Sequence, residues 1–329
     1  MSQSDRIRGC LYGQAIGDAL GLKAEFKSST LLQMMYDPPG PTEYESLNRG
    51  ASVWKKGEWT DDTEMALCIF DAYLADGDLI PSTVAKNFLR WAHEDGRGMG
   101  NHTWNVLSDS LFLLDPEVVA RSAWEGSGKQ MAPNGGVMRT SVVGILRPDD
   151  LAWTEANAEK MCRTTHYDPR CVAGSVAISL TIRALVNGAS VAEAIEHGVG
   201  RASAYHPDVE EWANKSLEEL NLDEGLDEPN RRRPPIGYTW KCMGAGFWAL
   251  RNMDTIYGDI RGATTPEKFL RTLQEVIMAG GDTDTNGAVA GAMMGAYVGQ
   301  YLIPGSLKSG LYDQAGIDRR LDQLLSVHA

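Results

Sequence analysis

The chain has 329 residues, of which 43% are hydrophobic and 23% charged, as in an ordinary globular protein of one large or two smaller domains. Its formal net charge of −13 at pH 7 excludes a broad basic surface for nucleic acid or an anionic membrane. A local pocket for an anionic small molecule remains compatible with that charge.

The five cysteines are an odd number without C-x-x-C spacing, and the N-terminal stretch lacks an apolar leader. These features predict reduced thiols in a cytoplasmic protein. The nearly uncharged stretch 288–303 falls short of the ~20 residues that span a bilayer, so we expect a buried helix there.

Apolar residues recur at helical spacing through most of the chain, and period-two alternation of useful length is lacking. The predicted helices span, in chain order, 5–22, 65–74, 82–93, about 103–114, 135–144, 151–165, 169–187, 191–205, 238–251, 265–278 and 287 to about 301. Loops are predicted at 36–58, 96–101 and 124–134, and the charged segment 207–235 is predicted to be a solvated insertion. We therefore expect a single, compact, orthogonal all-α domain over residues 1–329.

Two of these helices carry glycine at every fourth position. The positions are 9, 13, 17 and 21 in the first helix and 287, 291, 295 and 299 in the second. Residues four apart share a helix face, so each helix has a ridge without side chains. Each interior glycine costs roughly 0.5–1 kcal/mol relative to alanine, which close backbone contact would offset. We expect the two helices to pack together; if they are antiparallel, residues 21–26 lie beside Asp282.

Carboxylates and hydroxyls alternate at the start of two predicted helices. Thr60-Asp61-Asp62 precedes the helix at 65–74, and Asp282-Thr283-Asp284-Thr285 precedes the second glycine helix. Either cluster alone is typical of a helix N-cap, and Thr60 or Asp62 would cap the first. Four carboxylates brought together would repel one another unless a cation bound them, and such ligands suit Mg²⁺, Ca²⁺ or Mn²⁺. We favour a shared metal site over two independent caps.

An ordered series of motifs resembles the ADP-ribosylglycohydrolase family, which includes the dinitrogenase reductase-activating glycohydrolase and the ADP-ribosyl-acceptor hydrolases. The matching pieces are Gly13-Gln-Ala-Ile-Gly-Asp-Ala-Leu-Gly21 with Glu25-Phe26, Trp59-Thr-Asp-Asp-Thr63, Asn134-Gly-Gly-Val-Met-Arg139, Thr165-His166, Gly237-Tyr238 and Gly280-Gly-Asp-Thr-Asp-Thr-Asn286. They follow the family's order from about residue 7 to residue 299, and this order makes the resemblance specific.

The resemblance implies an all-α domain of the ADP-ribosylglycohydrolase type with a dinuclear Mg²⁺ centre, sometimes Mn²⁺, that cleaves the bond between ADP-ribose and its acceptor at the anomeric carbon. By motif match, the implied metal ligands are Thr60, Asp61, Asp62, Asp282, Asp284 and Thr285. Glu25 matches a family acid near the metals and is our first candidate for proton transfer, with Asp61 or Asp62 as rivals. Positions around the ADP-ribose correspond to Gly98, Gly100, Asn101, Asn134, Gly135, Gly136 and His166, and Tyr238 is a further candidate for stacking on adenine or the acceptor.

Several of these residues have plainer structural interpretations. Gly98 and Gly100 taken alone are ordinary loop glycines, although loop glycines can also present N–H groups to a diphosphate. His166 taken alone is typical of a capping or core-edge histidine, and Tyr238 of a packing aromatic. We expect Arg139 to be structural and to pair with a buried acid.

The expected function is a metal-dependent hydrolase that removes mono-ADP-ribose from protein side chains, with arginine slightly favoured over serine as the acceptor. Met131-Ala132-Pro133 and the run after Tyr238 depart from the family's usual pattern, so the acceptor stays open. The alternatives are hydrolysis of a small conjugate, such as O-acetyl-ADP-ribose or an ADP-ribosylated base, and a non-catalytic ADP-ribose-binding or structural protein. The complete set of acids disfavours the last. We expect a monomer without a membrane partner.

Overall fold

The computed structural model describes residues 1–228, 235–253 and 265–327. Its α-helices are, in chain order, α1 (Gln3–Gly21), α2 (Ser29–Met35), α3 (Asp61–Asp76), α4 (Pro81–Glu94), α5 (Asn101–Leu107), α6 (Pro116–Gly126), α7 (Val143–Leu146), α8 (Leu151–Arg163), α9 (Pro169–Val186), α10 (Val191–Ala202), α11 (Val209–Asn214), α12 (Leu217–Leu220), α13 (Thr239–Asn252), α14 (Thr265–Met278), α15 (Thr283–Val298), α16 (Gly305–Ser309) and α17 (Gln314–Val327). A single short antiparallel hairpin, β1 (Leu47–Arg49) with β2 (Ser52–Trp54), is the sheet found within the described residues. The predicted all-α class is confirmed.

The centre of the fold is the antiparallel pair of α1 and α15, whose glycine ridges face each other. A Cβ added at Gly13 would lie less than 3.0 Å from the Gly291 carbonyl, and one at Gly17 would lie equally close to the carbonyl of Gly287. Real Cβ atoms essentially never come so near backbone atoms. The predicted close packing of these two helices is therefore confirmed, and it explains the cost of so many helical glycines.

The end of α1 meets the start of α15 through backbone hydrogen bonds. Phe26 N donates to Gly281 O at 2.8 Å, and Gly281 N donates to Lys27 O at 3.0 Å. The Thr283 hydroxyl donates to Gly21 O at 2.8 Å. Residues 21–26 thus lie beside the Asp282 turn, as the antiparallel arrangement predicts.

Other helices surround this pair. The apolar helix α9 packs against α8, α10, α13 and α15. Among the described residues, α9 alone is long and apolar enough to cross a membrane, but 83% of it is buried inside the protein, as in a core helix. The stretch at 288–303 is buried over most of its length, as predicted.

Several boundaries differ from the sequence-based expectations. Helix α5 ends at Leu107 rather than near residue 114, and a 3₁₀ turn (Asn134–Gly136) and the short α7 replace the predicted helix at 135–144. Helix α6 lies partly where a loop was predicted; Asp115 caps it by accepting from Val118 N at 3.1 Å. The C-terminal α17, which was not predicted, buries Ile317, Leu321 and Leu324.

The charged segment 207–235 is described up to residue 228, and 229–234 lie outside the described residues. Its described part contains α11 and α12 and buries Val209, Ala213 and Leu220, whereas most of its acidic side chains are at least partly exposed. Its status as an insertion, and the single domain over 1–329, stay predictions.

The glycine contact gives a stability prediction. In Gly291→Ala the new methyl group would collide with the Gly13 carbonyl, so one helix must shift. We expect the free energy of unfolding to fall by about 3 kcal/mol, measured by urea denaturation followed by circular dichroism.

Gly200→Ala is the matched control, because Gly200 lies within α10 and a Cβ there meets open space. This substitution should raise the free energy of unfolding by about 0.5–1 kcal/mol. Equal effects of the two substitutions would contradict the assignment of the ridge.

Candidate metal centre and substrate cleft

A cavity of about 670 Å³ opens at the end where α1 meets α15. Most of the predicted site residues line it, namely Glu25, Asp61, Asp62, Gly98, Gly100, Asn101, Asn134, Gly135, His166, Tyr238, Asp282, Asp284 and Thr285. Thr60 is buried behind the acids, and Gly136 lies behind His166 with Cys162 as a further neighbour. Residues far apart in sequence are thus brought together; their individual roles stay predictions.

Three carboxylates form the floor of the cavity. One oxygen from each of Glu25, Asp282 and Asp284 lies within 4.8 Å of the others. Asp282 Oδ2 accepts a hydrogen bond from Asn134 Nδ2 at 2.8 Å, and Asp282 Oδ1 lies 3.0 Å from Thr285 Oγ1. Asn134 therefore orients an acid of the floor, in addition to lining the cavity.

The second acid cluster comes from the first turn of α3. Thr60 Oγ1 lies 2.8 Å from Asp62 Oδ2, whereas the buried Asp62 Oδ1 has no partner within the described structure. Thr60 and Asp282 occupy the N-cap positions of α3 and α15, yet neither side chain makes the capping hydrogen bond. The simple capping interpretation of both clusters is therefore wrong, and Asp62 Oδ1 is left available for another ligand.

Asp18 is a site residue that sequence reasoning missed. It is fully buried in α1, and it accepts from the backbone N–H groups of Thr60 at 2.9 Å and Thr63 at 3.0 Å, and from the Thr63 hydroxyl at 2.7 Å. Asp18 thus caps α3 from a neighbouring helix, where a negative charge complements the helix dipole. An acid in the apolar, glycine-ridged part of α1 was the available indication, because buried acids require partners.

The electrostatics of the floor explain why a cation fits these residues. Burial, and next the charge of Asp282, raise the pKa of Glu25 to about 7, while Arg49 opposes the shift. Burial and then neighbouring carboxylates raise the pKa values of Asp61, Asp62 and Asp284 well above the usual range. The carboxylates resist ionising together, and a divalent cation would reverse this repulsion. An unpartnered buried oxygen and a set of carboxylate and hydroxyl donors suit a hard cation.

The loop before α5 approaches the acids through glycine. Gly98 has φ of +88°, and a Cβ there would lie 2.5 Å from Asp61 Oδ1. Both the backbone conformation and the available space therefore require glycine at this position. Gly100, by contrast, has open space around it.

The hairpin holds Glu25 from outside the cavity. Arg49 of β1 forms an ion pair with Glu25, and its guanidinium lies 4.9 Å from the centre of the Phe26 ring. Phe26 is exposed at the mouth and adopts φ of +62°, which turns the chain from α1 towards Gly281. The carboxylate of Glu25 is thereby kept at the edge of the floor.

Another part of the cavity wall contains buried polar groups around His166. His166 and His102 lie edge to face, with ring centres 4.7 Å apart. Arg139 donates to Met161 O at 3.0 Å and to Thr165 Oγ1 at 2.7 Å, so the expectation that it pairs with a buried acid is wrong. Tyr238 lines the cavity and packs against Trp212 at 5.7 Å between ring centres.

The family model for ADP-ribosylglycohydrolase matches residues 1–329 of the chain. The chain is 25% identical to the ADP-ribosylarginine hydrolase Tri1 of Serratia proteamaculans, over 97% of this chain and 79% of that protein. It is 28% identical to the ADP-ribosylhydrolase ARH3 of Gallus gallus, over 92% of this chain and 87% of that protein. A solved structure titled as an ADP-ribosylglycohydrolase-related protein complex is similar in fold, with a TM-score of 0.64 at 23% identity and 98% coverage of both chains.

The raised carboxyl pKa values predict how stability depends on pH in the metal-free protein. Glu25 binds its proton with a pKa of about 7 when folded, against an ordinary value of 4.5, so the folded state holds more protons between these values. The free energy of unfolding should therefore fall as pH rises from 4.5 to about 7, as measured by urea denaturation in a chelator.

Glu25→Gln should make this pH slope shallower, whereas Glu94→Gln, at an exposed position in α4, should leave it unchanged. Saturating Mg²⁺ should raise the stability most at the high end of the range, where the acids are ionised. Stability of the metal-free protein that rises with pH over this range would contradict the arrangement of the floor.

Proposed function

The chain belongs to the ADP-ribosylglycohydrolase family and is a hydrolase of glycosidic bonds to ADP-ribose; from this premise we propose that it removes mono-ADP-ribose from protein side chains in a metal-dependent reaction. The observation that carries the proposal is the convergence of two acid clusters on one end of a cavity lined by polar groups. Arginine is our favoured acceptor over serine. This preference is supported by the names of two relatives, the ADP-ribosylarginine hydrolases of Serratia proteamaculans and Pseudomonas putida.

The proposed cofactor is a pair of Mg²⁺ ions, for which Mn²⁺ can substitute. The residues proposed to hold them are Thr60, Asp61, Asp62, Asp282, Asp284 and Thr285. The unpartnered Asp62 Oδ1 and the proximity of the Asp282 and Asp284 oxygens support this set. When bound, divalent cations supply electrostatic stabilisation of substrate oxygens on which negative charge develops.

Glu25 is the proposed proton-transfer group. Cleavage of a glycosidic bond requires an acid for the leaving group and a base for the attacking water. A carboxyl group with a pKa of about 7 can serve in both roles near neutral pH, because both protonation states are populated there. Asp61 and Asp62 remain rival candidates, since burial and neighbouring acids also raise their pKa values.

The proposed ADP-ribose site extends from the acids along the remaining cavity wall. The glycines Gly98, Gly100 and Gly135 would let backbone N–H groups approach the diphosphate, which needs no basic side chain, whereas Gly136 would support His166 from behind. Asn101 and His166 add polar groups that can bind the ligand, and Tyr238 offers an aromatic face for stacking. This arrangement reconciles binding of an anion with the net charge of −13.

We further propose that the protein acts as a cytoplasmic monomer without a membrane partner. All five cysteines are free and buried, which is compatible with a reducing compartment.

A substrate panel tests the acceptor. Peptides carrying ADP-ribosylarginine or ADP-ribosylserine, together with O-acetyl-ADP-ribose, are incubated with the enzyme, and released ADP-ribose is measured with Mg²⁺ or with a chelator. We expect the fastest turnover on the arginine peptide and at least a 100-fold loss without metal, because several kcal/mol of charge stabilisation would be removed. Faster turnover of either other substrate would reassign the acceptor. Equal rates in the chelator would refute metal dependence.

Substitution of individual acids tests the site. Asp284→Asn removes one proposed ligand charge, and we expect kcat/KM to fall at least 100-fold and the stabilisation by Mg²⁺ to shrink. Asp76→Asn, at an exposed position in α3, is the control and should behave like the wild type.

Glu25→Gln tests proton transfer separately from metal binding. We expect kcat to fall by about 10²–10⁴-fold, the usual contribution of a general acid or base. A variant with wild-type kcat would transfer the role to Asp61 or Asp62.

A further inference from the structure

We propose that Arg139 and Thr165 are positioning residues that fix neutral His166 as the tautomer protonated on Nε2, so that its Nε2–H group donates a hydrogen bond to an oxygen atom of the bound ligand. The identity of that ligand rests on the proposed function. The tautomer does not, because it follows from hydrogen bonds within the protein.

The argument begins with Arg139, whose side chain is fully buried. Its Nη2 atom lies 3.0 Å from Met161 O and 2.7 Å from Thr165 Oγ1, and its guanidinium lies 4.6 Å from the centre of the Phe88 ring. A guanidinium group has donors and no acceptor. The Thr165 oxygen must therefore accept the hydrogen bond from Arg139.

Thr165 passes this constraint to the histidine. Its Oγ1 atom lies 2.7 Å from His166 Nδ1, and Thr165 is fully buried. If His166 carried a proton on Nδ1, both neighbours would donate to Thr165 and the hydroxyl proton would need a third partner. Within the described residues, the partners of this oxygen are Arg139 and His166. The hydroxyl therefore donates to Nδ1, and a neutral imidazole must then carry its proton on Nε2.

The surroundings of His166 keep the ring neutral. Burial lowers the pKa of His166 well below its ordinary value, and the proximity of His102 and Arg139 lowers it further. His102 Nε2 lies 3.0 Å from Thr165 O, a carbonyl that only accepts, so His102 also presents a protonated Nε2. The pKa of His102 is lowered as well, chiefly by burial. Both rings are therefore neutral at physiological pH.

The protonated nitrogen of His166 is buried beside the cavity. His166 lines the cavity and is 1% exposed, yet its Nε2 has no partner within the described structure. A Cβ at Gly135 would lie 2.9 Å from Nε2 and 2.8 Å from Cε1, so only glycine allows the backbone to lie this close to that edge of the ring. A buried donor without an acceptor costs about 1–3 kcal/mol, which a ligand oxygen would recover. A ligand oxygen that reaches Nε2 would thus meet a donor that adds no positive charge.

Nuclear magnetic resonance of the ligand-free, metal-free protein tests the tautomer directly. Two-bond correlations between ring protons and imidazole ¹⁵N nuclei distinguish a protonated Nε2 from a protonated Nδ1, and His166→Asn assigns the signal. We expect a protonated Nε2 in the wild type and in Thr165→Ser, which keeps the hydroxyl. Thr165→Val removes it and should increase the Nδ1-protonated population.

Arg139→Met should give the same mixture, because the freed lone pair of Thr165 can then accept from His166. If that variant does not fold, the comparison of Thr165→Ser with Thr165→Val still tests the tautomer. A wild-type ring protonated on Nδ1, or an unchanged ring in Thr165→Val, would overturn the proposal.

Binding of free ADP-ribose, measured by calorimetry, tests the functional consequence. We expect Thr165→Val to weaken binding about tenfold and to raise KM similarly while kcat changes little, with Thr165→Ser close to the wild type. If the wild-type protein binds no ADP-ribose, the proposed function fails while the tautomer assignment stands on its spectrum. If Thr165→Val shifts the tautomer but binds ADP-ribose normally, the donor role of Nε2 is refuted.

Discussion

The contact between the backbones of α1 and α15 is the constraint on which the site depends. Because both helices lack side chains along their shared face, their carbonyl groups lie where side chains normally pack. This contact fixes the register of the two helices, and the register places Glu25, after the end of α1, beside Asp282, before the start of α15. It also carries Asp18 to the start of α3. A shift of one helix by one residue would rotate these acids away from one another. The geometry of the floor therefore depends on the fixed contact between the two glycine ridges.

The same geometry creates an electrostatic problem that the protein solves only in part. Asp18 compensates the N-terminus of α3 and accepts several hydrogen bonds, which favours its ionised form even though burial raises its pKa to about 6. Arg49 compensates Glu25 from outside the floor. Asp61, Asp62 and Asp284 have no comparable cation within the described residues, and burial together with the charges of neighbouring carboxylates raises their pKa values. Stability has thus been given up where the acids converge, which is common for binding sites that a ligand completes.

Features of the fold and site could be predicted from the sequence when the residues that cause them lie close together in the chain. The four-residue glycine period identified the contact and its consequence for Asp282, because periodicity records which face is buried. The two acid clusters could also be recognised from local sequence, since each lies within a few residues of a predicted helix start. The roles of Asp18 and Arg139 were not predicted, because their partners lie more than twenty residues away and the local sequence does not show which group a buried charge contacts. Helix α6 was not predicted because the sequence around it is polar, although Asp115-Pro116 is a recognisable helix start.

The floor of the cavity carries acidic side chains, whereas the wall around His166 carries neutral polar groups. This difference accounts for how an acidic protein can accommodate an anionic ligand. On the floor, carboxylates are concentrated until a cation becomes the natural counterion. In the part of the wall around His166, Arg139 is the buried cation among the described residues. It lies behind Thr165 and exposes none of its donors to the cavity. Through Thr165 it fixes the neutral tautomer that we propose for His166. A diphosphate entering such a cleft would meet neutral donors first and positive charge only where cations occupy the floor, so ligand orientation would be set by the position of charge and not by its total amount.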